Sequence, residues 1–278
     1  MLFANPRARA MRAFRSGVPG LCARLGLPAT AAITDRNRWA EPGPAGRVVA
    51  VAGGDGTLRA AVDALGPGAR IVPVPMGHGN DLCRRLGLPP EDVDDSRRRL
   101  DNPVWREVDL WRATDAAGRA RRFVNSLGIG LDAAVNRRRE SLPRWIPYIP
   151  LFLLTLSRLR RVALEVSWDG HGWAGKTWWL GLMNSGLTGG GLILSPDADP
   201  GDGRLDMFAV RTTTKAGLLA MLPKAKSGQF GKGVMARAQA AAFTIRGPEQ
   251  VDIALDGDLV PASLPLRVEL EGSVFLAA

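Results

Sequence analysis

Val48-Val49-Ala50-Val51-Ala52-Gly53-Gly54-Asp55-Gly56-Thr57-Leu58 is the stretch that decides how the rest of this chain folds. The apolar run 48–52 is continuous, as in a strand covered on both faces of a parallel sheet. Gly53, Gly54 and Gly56 then let the backbone take unusual angles and approach a ligand closely. Leu58, Ala61, Val62 and Leu65 follow at i, i+3, i+4 and i+7, a helical stripe that stops at Gly66-Pro67. Strand, glycine turn and helix start form a site for an anion, because free N–H groups and the helix dipole both point there. Thr57 adds a hydroxyl donor. Asp55 is the informative residue, since a carboxylate in a phosphate cradle repels its ligand unless a cation such as Mg²⁺ mediates. The alternative is a plain turn in which Asp55 only caps the helix.

Outward from this unit the alternation continues. Upstream, Leu2-Phe3-Ala4 is a short strand ending at Asn5-Pro6, and Met11 to Leu25 is a helical stretch interrupted at Pro19-Gly20. Ala31-Ala32-Ile33 reads as another strand. Downstream, Ile71–Val74 is a strand and Pro75-Met76-Gly77-His78-Gly79-Asn80-Asp81 a second glycine-rich loop. Asn80 or Asp81 caps a helix carrying Leu82 and Leu86, stopped by Gly87. Repeated strand–turn–helix units predict a parallel α/β domain, and crevices at the carboxyl ends of its strands bind ligands. Two glycine loops on one edge, each with an acidic residue, favour a nucleotide–Mg²⁺ cleft over either turn alone. The chain lacks the Gly-x4-Gly-Lys-Ser/Thr loop, and Gly54-Asp55-Gly56 lacks the third glycine of the dinucleotide fingerprint.

From about Trp105 the segments become short, β-branched or aromatic, and separated by Gly, Asp or Pro. Trp168-Asp169-Gly170 reads as a hairpin turn. Helices are expected only near 145–160 and 215–223. The fold class expected is therefore an N-terminal Rossmann-like α/β domain, residues 1–105, and a C-terminal β-sandwich domain, residues 106–278, with the active site in the cleft between them.

Bulk properties narrow the class. The 278 residues are 46% hydrophobic and 23% charged, ordinary for a globular enzyme. The longest apolar stretch, Ile146 to Leu156, is interrupted by Pro147 and Pro150 and falls short of the roughly 20 residues a spanning helix needs. No signal peptide is read at the N-terminus, and Cys22 and Cys83 form neither a disulfide framework nor a metal spacing, so a cytoplasmic setting is expected. The net charge of +10 gathers at Arg97–Arg99, Arg119–Arg122, Arg137–Arg139 and Arg158–Arg161. These clusters are solvated surface or a face for an anionic membrane; no nucleic-acid motif accompanies them, so no nucleic-acid partner is expected. The oligomeric state is left open.

At these residues the sequence resembles the diacylglycerol/sphingosine-type lipid kinases, in particular their soluble bacterial branch. The resemblance runs along nearly the whole chain. Asn5-Pro6, the GGDGT loop 53–57, Pro75 to Arg84, Phe123-Val124-Asn125 with Gly128, Gly130 and Asp132, Asn184, Gly189-Gly190-Gly191, Pro196, Asp202-Gly203-Arg204-Leu205-Asp206 and Asp256-Gly257-Asp258 carry it. GGDGT also resembles NAD kinases and phosphofructokinases; the 77–84 loop and the 202–206 segment point to lipid kinases.

The resemblance implies transfer of the γ-phosphate of ATP to a lipid alcohol, diacylglycerol first, and the basic clusters suggest reversible peripheral contact with an anionic membrane. It implies that Thr34, Gly53, Gly54, Asp55, Gly56, Thr57, Leu58, Arg59, His78, Asn80 and Asp81 hold the nucleotide. Asp55 and Asp258 would be catalytic, Asp258 standing where the family has a glutamate base. A structural Mg²⁺ would be held by Asp202 with backbone carbonyls near Asp199 and Arg204. Three positions depart from the family pattern: Asp258 is one methylene shorter, His78 replaces Thr, and Arg59 stands where Asn is common. The rival readings are a catalytically weak nucleotide- or lipid-binding protein of the same fold, and an NAD kinase-like enzyme. Leu131, Leu142, Ile146, Ile149, Leu151 and Phe152 form either a greasy wall near a lipid tunnel or ordinary core.

Overall fold

The computed structural model describes residues 1–14, 16–35, 38–39, 48–141, 148–212, 214–231 and 233–278, with side chains left undescribed over 140–151. The first part runs β1 (Leu2–Ala4), α1 (Val18–Leu25), β2 (Ala32–Ile33), β3 (Val48–Gly53), α2 (Asp55–Leu65), β4 (Arg70–Pro75), α3 (Asp81–Arg85) and α4 (Val93–Asp101). The order β2-β1-β3-β4 is parallel throughout. β1, β3 and β4 are almost wholly buried, which is why they read as unbroken apolar runs, while β2 at the edge is half-buried.

The second part runs β5 (Trp105–Thr114), β6 (Ala120–Phe123), β7 (Ser126–Gly130), α5 (Leu131–Ser141), α6 (Tyr148–Arg158), β8 (Val162–Trp168), β9 (His171–Thr177), β10 (Trp179–Met183), β11 (Leu187–Thr188), β12 (Leu192–Ile193) and β13 (Leu205–Val210). Then come α7 (Lys215–Ala225), β14 (Met235–Ala240), β15 (Ala242–Arg246), β16 (Gln250–Leu255), β17 (Asp258–Ser263) and β18 (Leu266–Ala277). An antiparallel sheet of order β14-β13-β10-β7-β16-β17 faces β5, β15, β8 and β18 across a core that includes Trp111, Phe123, Leu180 and Phe243. The hairpin expected at 168–170 is present: Asp169 and Gly170 both take positive φ between β8 and β9.

The two larger sheets among the described residues are not segregated by sequence. β18 pairs antiparallel with β5 and β15, bends at an irregularity between Leu270 and Gly272, and then lies parallel to β4. Its Val274 and Leu276 enter the same core as Phe3, Val51 and Leu82. One sheet therefore passes from the strands that carry the glycine loops into the sandwich, and the crossing point is made by residues 270–276 of β18.

Two helices differ from the sequence expectation. α4 lies where the arginines at 97–99 suggest only a basic surface; Asp92 caps it through the Asp95 N–H, and Arg99 is buried. The Arg99 guanidinium donates to Pro73 O, Ala277 O and Ser96, and pairs with Asp95, so it ties β4 to β18. α5 lies over residues that carry little apolar periodicity. Leu142 and Ile146, two of the residues proposed above for a greasy wall, lie outside the described residues, as do the side chains of Ile149 and Leu151. No helix among the described residues is long and apolar enough to cross a membrane.

Candidate functional site

The glycine loop and the second loop stand side by side at the carboxyl edge of β3 and β4. A Cβ on Gly54 would lie 3.0 Å from Gly77 Cα, so these two backbones meet because neither residue has a side chain. Asp55 fastens them. Its Oδ2 accepts the Asn80 N–H at 2.7 Å and its Oδ1 accepts the Asp81 N–H at 2.8 Å. Asn80 occupies the N-cap position of α3 in a left-handed conformation, but its side chain turns back to Gly77 and caps nothing. Asp55 thus caps α3 from the neighbouring loop. Burial and the nearby Asp81 and Asp256 push its pKa up to about 7, against the pull of its two N–H donors.

Asp256 plays the same part across the cleft. Together with Gly257 it makes the two-residue hairpin between β16 and β17, both at positive φ. Its carboxylate is buried and accepts three backbone N–H groups, from Val124 at 2.9 Å, Asn125 at 2.9 Å and Ser126 at 2.8 Å. Burial raises its pKa to about 6, opposed by those donors. The turn sets Asp258 against the first loop: a Cβ on Gly56 would stand 2.8 Å from Asp258 Oδ1. The other oxygen, Oδ2, accepts from Arg59 Nη2 at 2.7 Å and Nε at 3.2 Å. Arg59 also faces Asp63 at 3.6 Å.

These elements surround a cavity of about 550 Å³ between the two parts of the chain. Gly54, Asp55, Gly56, His78, Gly79, Asp81 and Asp258 line it, so the structure brings these sequence candidates together. Asn125, Ser126, Asp132, Asn136, Arg139, Thr188, Gly189 and Gly190 complete it from the other side. Several predicted ligands lie elsewhere. Thr57 is 2% exposed, with its Oγ1 accepting from Asn5 Nδ2 at 3.2 Å, so its hydroxyl serves the packing beneath the loop, and Leu58 enters the core. Gly53 packs against Thr57, Asn80 is buried, and Thr34 is exposed beyond β2, two strands from β3. Arg59, expected on a phosphate, is held by Asp258 instead.

Asp81 and Asp132 give the cleft its electrostatic character. Asp81 Oδ2 accepts the Gly190 N–H at 3.1 Å, while its buried Oδ1 has no hydrogen-bond partner. Its pKa is raised by burial; that of Asp132 is pushed up to about 7 by burial and by Asp81. An orphaned carboxylate oxygen among crowded acids fits a divalent cation. The loop proposed for a second cation is tightly bonded. Asp202 accepts the Arg204 N–H at 2.9 Å and Gln239 Nε2 at 3.1 Å, and Asp199 accepts the Gly201 N–H at 3.1 Å. Beside it, Asp109 accepts the Gly203 N–H at 2.7 Å, and burial with Asp202, Glu107 and Asp199 nearby raises its pKa to about 6.

A second cavity, of about 460 Å³, opens beside the cleft and shares Asp132, Val135, Thr188 and Gly189 with it. Its walls are mainly apolar: Leu131, Phe152, Trp179, Leu192, Leu219 and Leu222. Leu131 and Phe152 are thus both core residues and pocket lining. Neither the role of Asp256 nor that of Asp132 follows from spacing in the sequence; both residues stand in the segments that resemble the lipid kinases, without a role attached to either.

The chain matches two family descriptions, "Diacylglycerol kinase catalytic domain" over residues 22–113 and "YegS C-terminal NAD kinase beta sandwich-like domain" over residues 125–275. A Pseudomonas putida protein named "Probable lipid kinase YegS-like" is 30% identical over 82% of this chain and 79% of its own length. A Mycobacterium tuberculosis protein named "Diacylglycerol kinase" is 32% identical over 63% of this chain and 58% of its own length. A crystal structure of a diacylglycerol kinase from Bacillus anthracis superposes with a TM-score of 0.70 at 18% identity, over 99% of this chain and 95% of that one. A second B. anthracis structure gives 0.74 at 21% identity, over 98% and 95%; these two show the shared fold. The chain belongs to the family of YegS-like lipid kinases and bacterial diacylglycerol kinases.

Proposed function

We propose that this protein transfers the γ-phosphate of ATP to the hydroxyl of a lipid alcohol, diacylglycerol or a close relative. The observation that carries this reading is the pair of joined cavities: a polar cleft lined by two glycine loops, continuous with an apolar pocket of a size for an acyl chain. A nucleotide alone has no use for the second, and family membership supplies the link between them.

Phosphoryl transfer needs positioning and charge stabilisation more than covalent help from the protein. In this reading residues 1–105 supply the nucleotide side and 106–278 the acceptor side. Backbone N–H groups of Gly54, Gly56 and Gly79 and the side chain of His78 receive the phosphates. Asp55 keeps the two loops in register. Asp258 Oδ1 accepts the proton of the acceptor hydroxyl, while Arg59 holds the opposite oxygen and so aims the carboxylate. Asp81 is the side chain suited to Mg²⁺, which when bound would offset charge on the phosphates. Asp202, with carbonyls near Asp199 and Arg204, is the side chain placed for a structural ion, with Asp109, Glu107 and Asp199 as its acidic neighbours. The acceptor is drawn from an anionic membrane surface.

The test is incubation of purified protein with Mg-ATP and diacylglycerol, monoacylglycerol, a sphingoid base or an isoprenoid alcohol, with NAD as a control acceptor. A phosphorylated lipid is expected. ATP binding without any product would favour the binding-protein reading, and phosphorylated NAD the other kinase reading.

A further inference from the structure

The β11–β12 hairpin forms part of the wall between the two cavities of the site. Thr188 and Gly189 line both, Gly190 lines the cleft, and Leu192 lines the apolar pocket. It is a slight element for that position. Among the described residues its strands pair only with each other, Leu187 with Ile193 and Thr188 with Leu192. Its tip is Gly189-Gly190-Gly191, all at positive φ, a run that glycine takes without strain. So short a two-stranded ribbon does not hold its place unaided.

α3 supplies the hold. Asp81, its first residue, accepts the Gly190 N–H at 3.1 Å through Oδ2. Arg85, its last, donates through Nη1 to Pro196 O at 3.2 Å and through Nη2 to Ala198 O, on the segment that leaves β12. Residues spaced as Asp81 and Arg85 are neighbours on a helix surface, so one face of α3 grips the hairpin at its tip and at its exit. The tip also lies over the second glycine loop: a Cβ on Gly190 would stand 3.9 Å from both His78 O and Gly79 Cα. Loop, helix and hairpin therefore keep their places together. The other oxygen of Asp81, Oδ1, is buried without a partner and faces the cleft. A cation on Oδ1 and the Gly190 N–H on Oδ2 use different oxygens, so the same carboxylate serves the nucleotide side and the hairpin at once.

We propose that Arg85 is a positioning residue for the lipid acceptor, and that the hairpin it holds with Asp81 makes nucleotide and acceptor bind cooperatively. This rests on the lipid-kinase reading and adds how the two substrates sense each other. Nucleotide and cation fix Asp81, Asp81 and Arg85 fix the hairpin, and the fixed hairpin completes the wall of the acceptor pocket. Linkage makes the effect reciprocal, so an acceptor in the pocket strengthens nucleotide binding by the same factor.

Calorimetric titration of the full chain with Mg²⁺ and the β,γ-imido analogue of ATP, which binds without turnover, tests this. It is run in neutral detergent micelles with and without dioctanoylglycerol, or the short-chain form of whichever lipid alcohol the wild type phosphorylates. The wild type is expected to bind the analogue at least about fivefold more tightly when the acceptor is present, the lower end of a usual coupling. Arg85→Met keeps the apolar stem and removes the donors. It is expected to bind the analogue alone as the wild type does, and to gain less than about twofold from the acceptor. In initial rates its KM for the acceptor should rise by about fivefold or more at saturating ATP. Arg85→Lys, whose single ammonium lacks the guanidinium fork, replaces it if Arg85→Met shows no thermal transition. The proposal is overturned if the wild type gains nothing from the acceptor, if the Arg85 variant keeps the full gain, or if the variant binds the analogue as weakly without acceptor as with it because its nucleotide site is damaged. A wild type that phosphorylates no lipid alcohol refutes the kinase reading itself, whereas one that does so without the gain refutes only the coupling.

Discussion

Replacing Asp258 by asparagine is expected to remove turnover while leaving the fold and the nucleotide site intact, for a reason visible in its hydrogen bonds. Both Arg59 contacts go to Oδ2, at 2.7 and 3.2 Å, and Arg59 has only donors to offer. The asparagine must therefore turn its carbonyl oxygen to Arg59. Its NH₂ then falls where Oδ1 stands over Gly56, the one oxygen available to take a proton. Loss of a general base costs about 10²–10⁴ in kcat, or roughly 3–5 kcal/mol of barrier. The ion pair itself is partly exposed, with Asp258 at 40%, and such pairs contribute at most about 1 kcal/mol. Tm should accordingly move by no more than about 4 °C. The assay is initial-rate transfer of labelled phosphate to diacylglycerol, beside ATP affinity by calorimetry and thermal unfolding. A variant that binds ATP and turns over within about tenfold of the wild type would refute Asp258 as the base, since that lies below the range for such a group.

Asp55→Asn should act on both loops: an amide oxygen can accept only one of the Asn80 and Asp81 N–H groups and the other meets an NH₂, a cost of about 1–3 kcal/mol. Calorimetry should show weakened ATP binding; unchanged affinity would count against Asp55 as the tie. The raised carboxyls also set a pH dependence. With folded pKa values near 7 for Asp55 and Asp132, the folded chain holds protons that the unfolded chain releases above its ordinary carboxyl range, so these groups stabilise below that range and lose the contribution as pH climbs towards 7. Thermal unfolding between about pH 5 and about pH 7.5 should show a steeper loss in the wild type than in Asp55→Asn, and equal slopes would contradict it. Leu219→Trp, which narrows the apolar pocket, should lower kcat/KM for long-chain acceptors by about tenfold, the worth of two unburied methylene groups, and spare short-chain ones. Equal losses for both chain lengths would argue that the pocket holds no acyl chain.

The parallel half was legible because its strands are buried on both faces and its turns carry glycine, so local pattern and tertiary role coincide at Val48–Gly53 and Arg70–Pro75. The hairpin at Asp169-Gly170 was legible for a different reason: its strands are largely exposed, and the Asp-Gly pair suits a turn that needs positive φ at both positions. α5 was not: Asp132, Asn136 and Arg139 face a polar cleft, so its sequence lacks the apolar stripe of a helix resting on a core. Arg99 and Arg122 show a second limit. Both read as members of basic surface clusters, yet one is buried against β4 and β18 and the other makes a two-pronged pair with Glu271 at 2.8 and 2.9 Å. Partners more than a hundred residues away leave no mark in local spacing. In the site, the glycine motif points equally to the residues that line the cleft and to Thr57, Leu58 and Arg59, which bond Asn5, enter the core and pair with Asp258. The motif marks the whole turn, and only packing separates residues that face outward from those that support it.

The course of β18 bears on how this protein is made. On a ribosome the glycine loops emerge early, but the strand that pairs with both β4 and β5 is not available until residues 266–277 have followed. Until then β4 presents an open edge, the kind of surface that invites pairing with other chains. The nucleotide half therefore cannot finish folding ahead of the acceptor half, and a nascent chain holding only the first does not yet have a closed cleft in which to spend ATP. Synthesis order and strand order together delay the assembled site until residues 266–277 have been made.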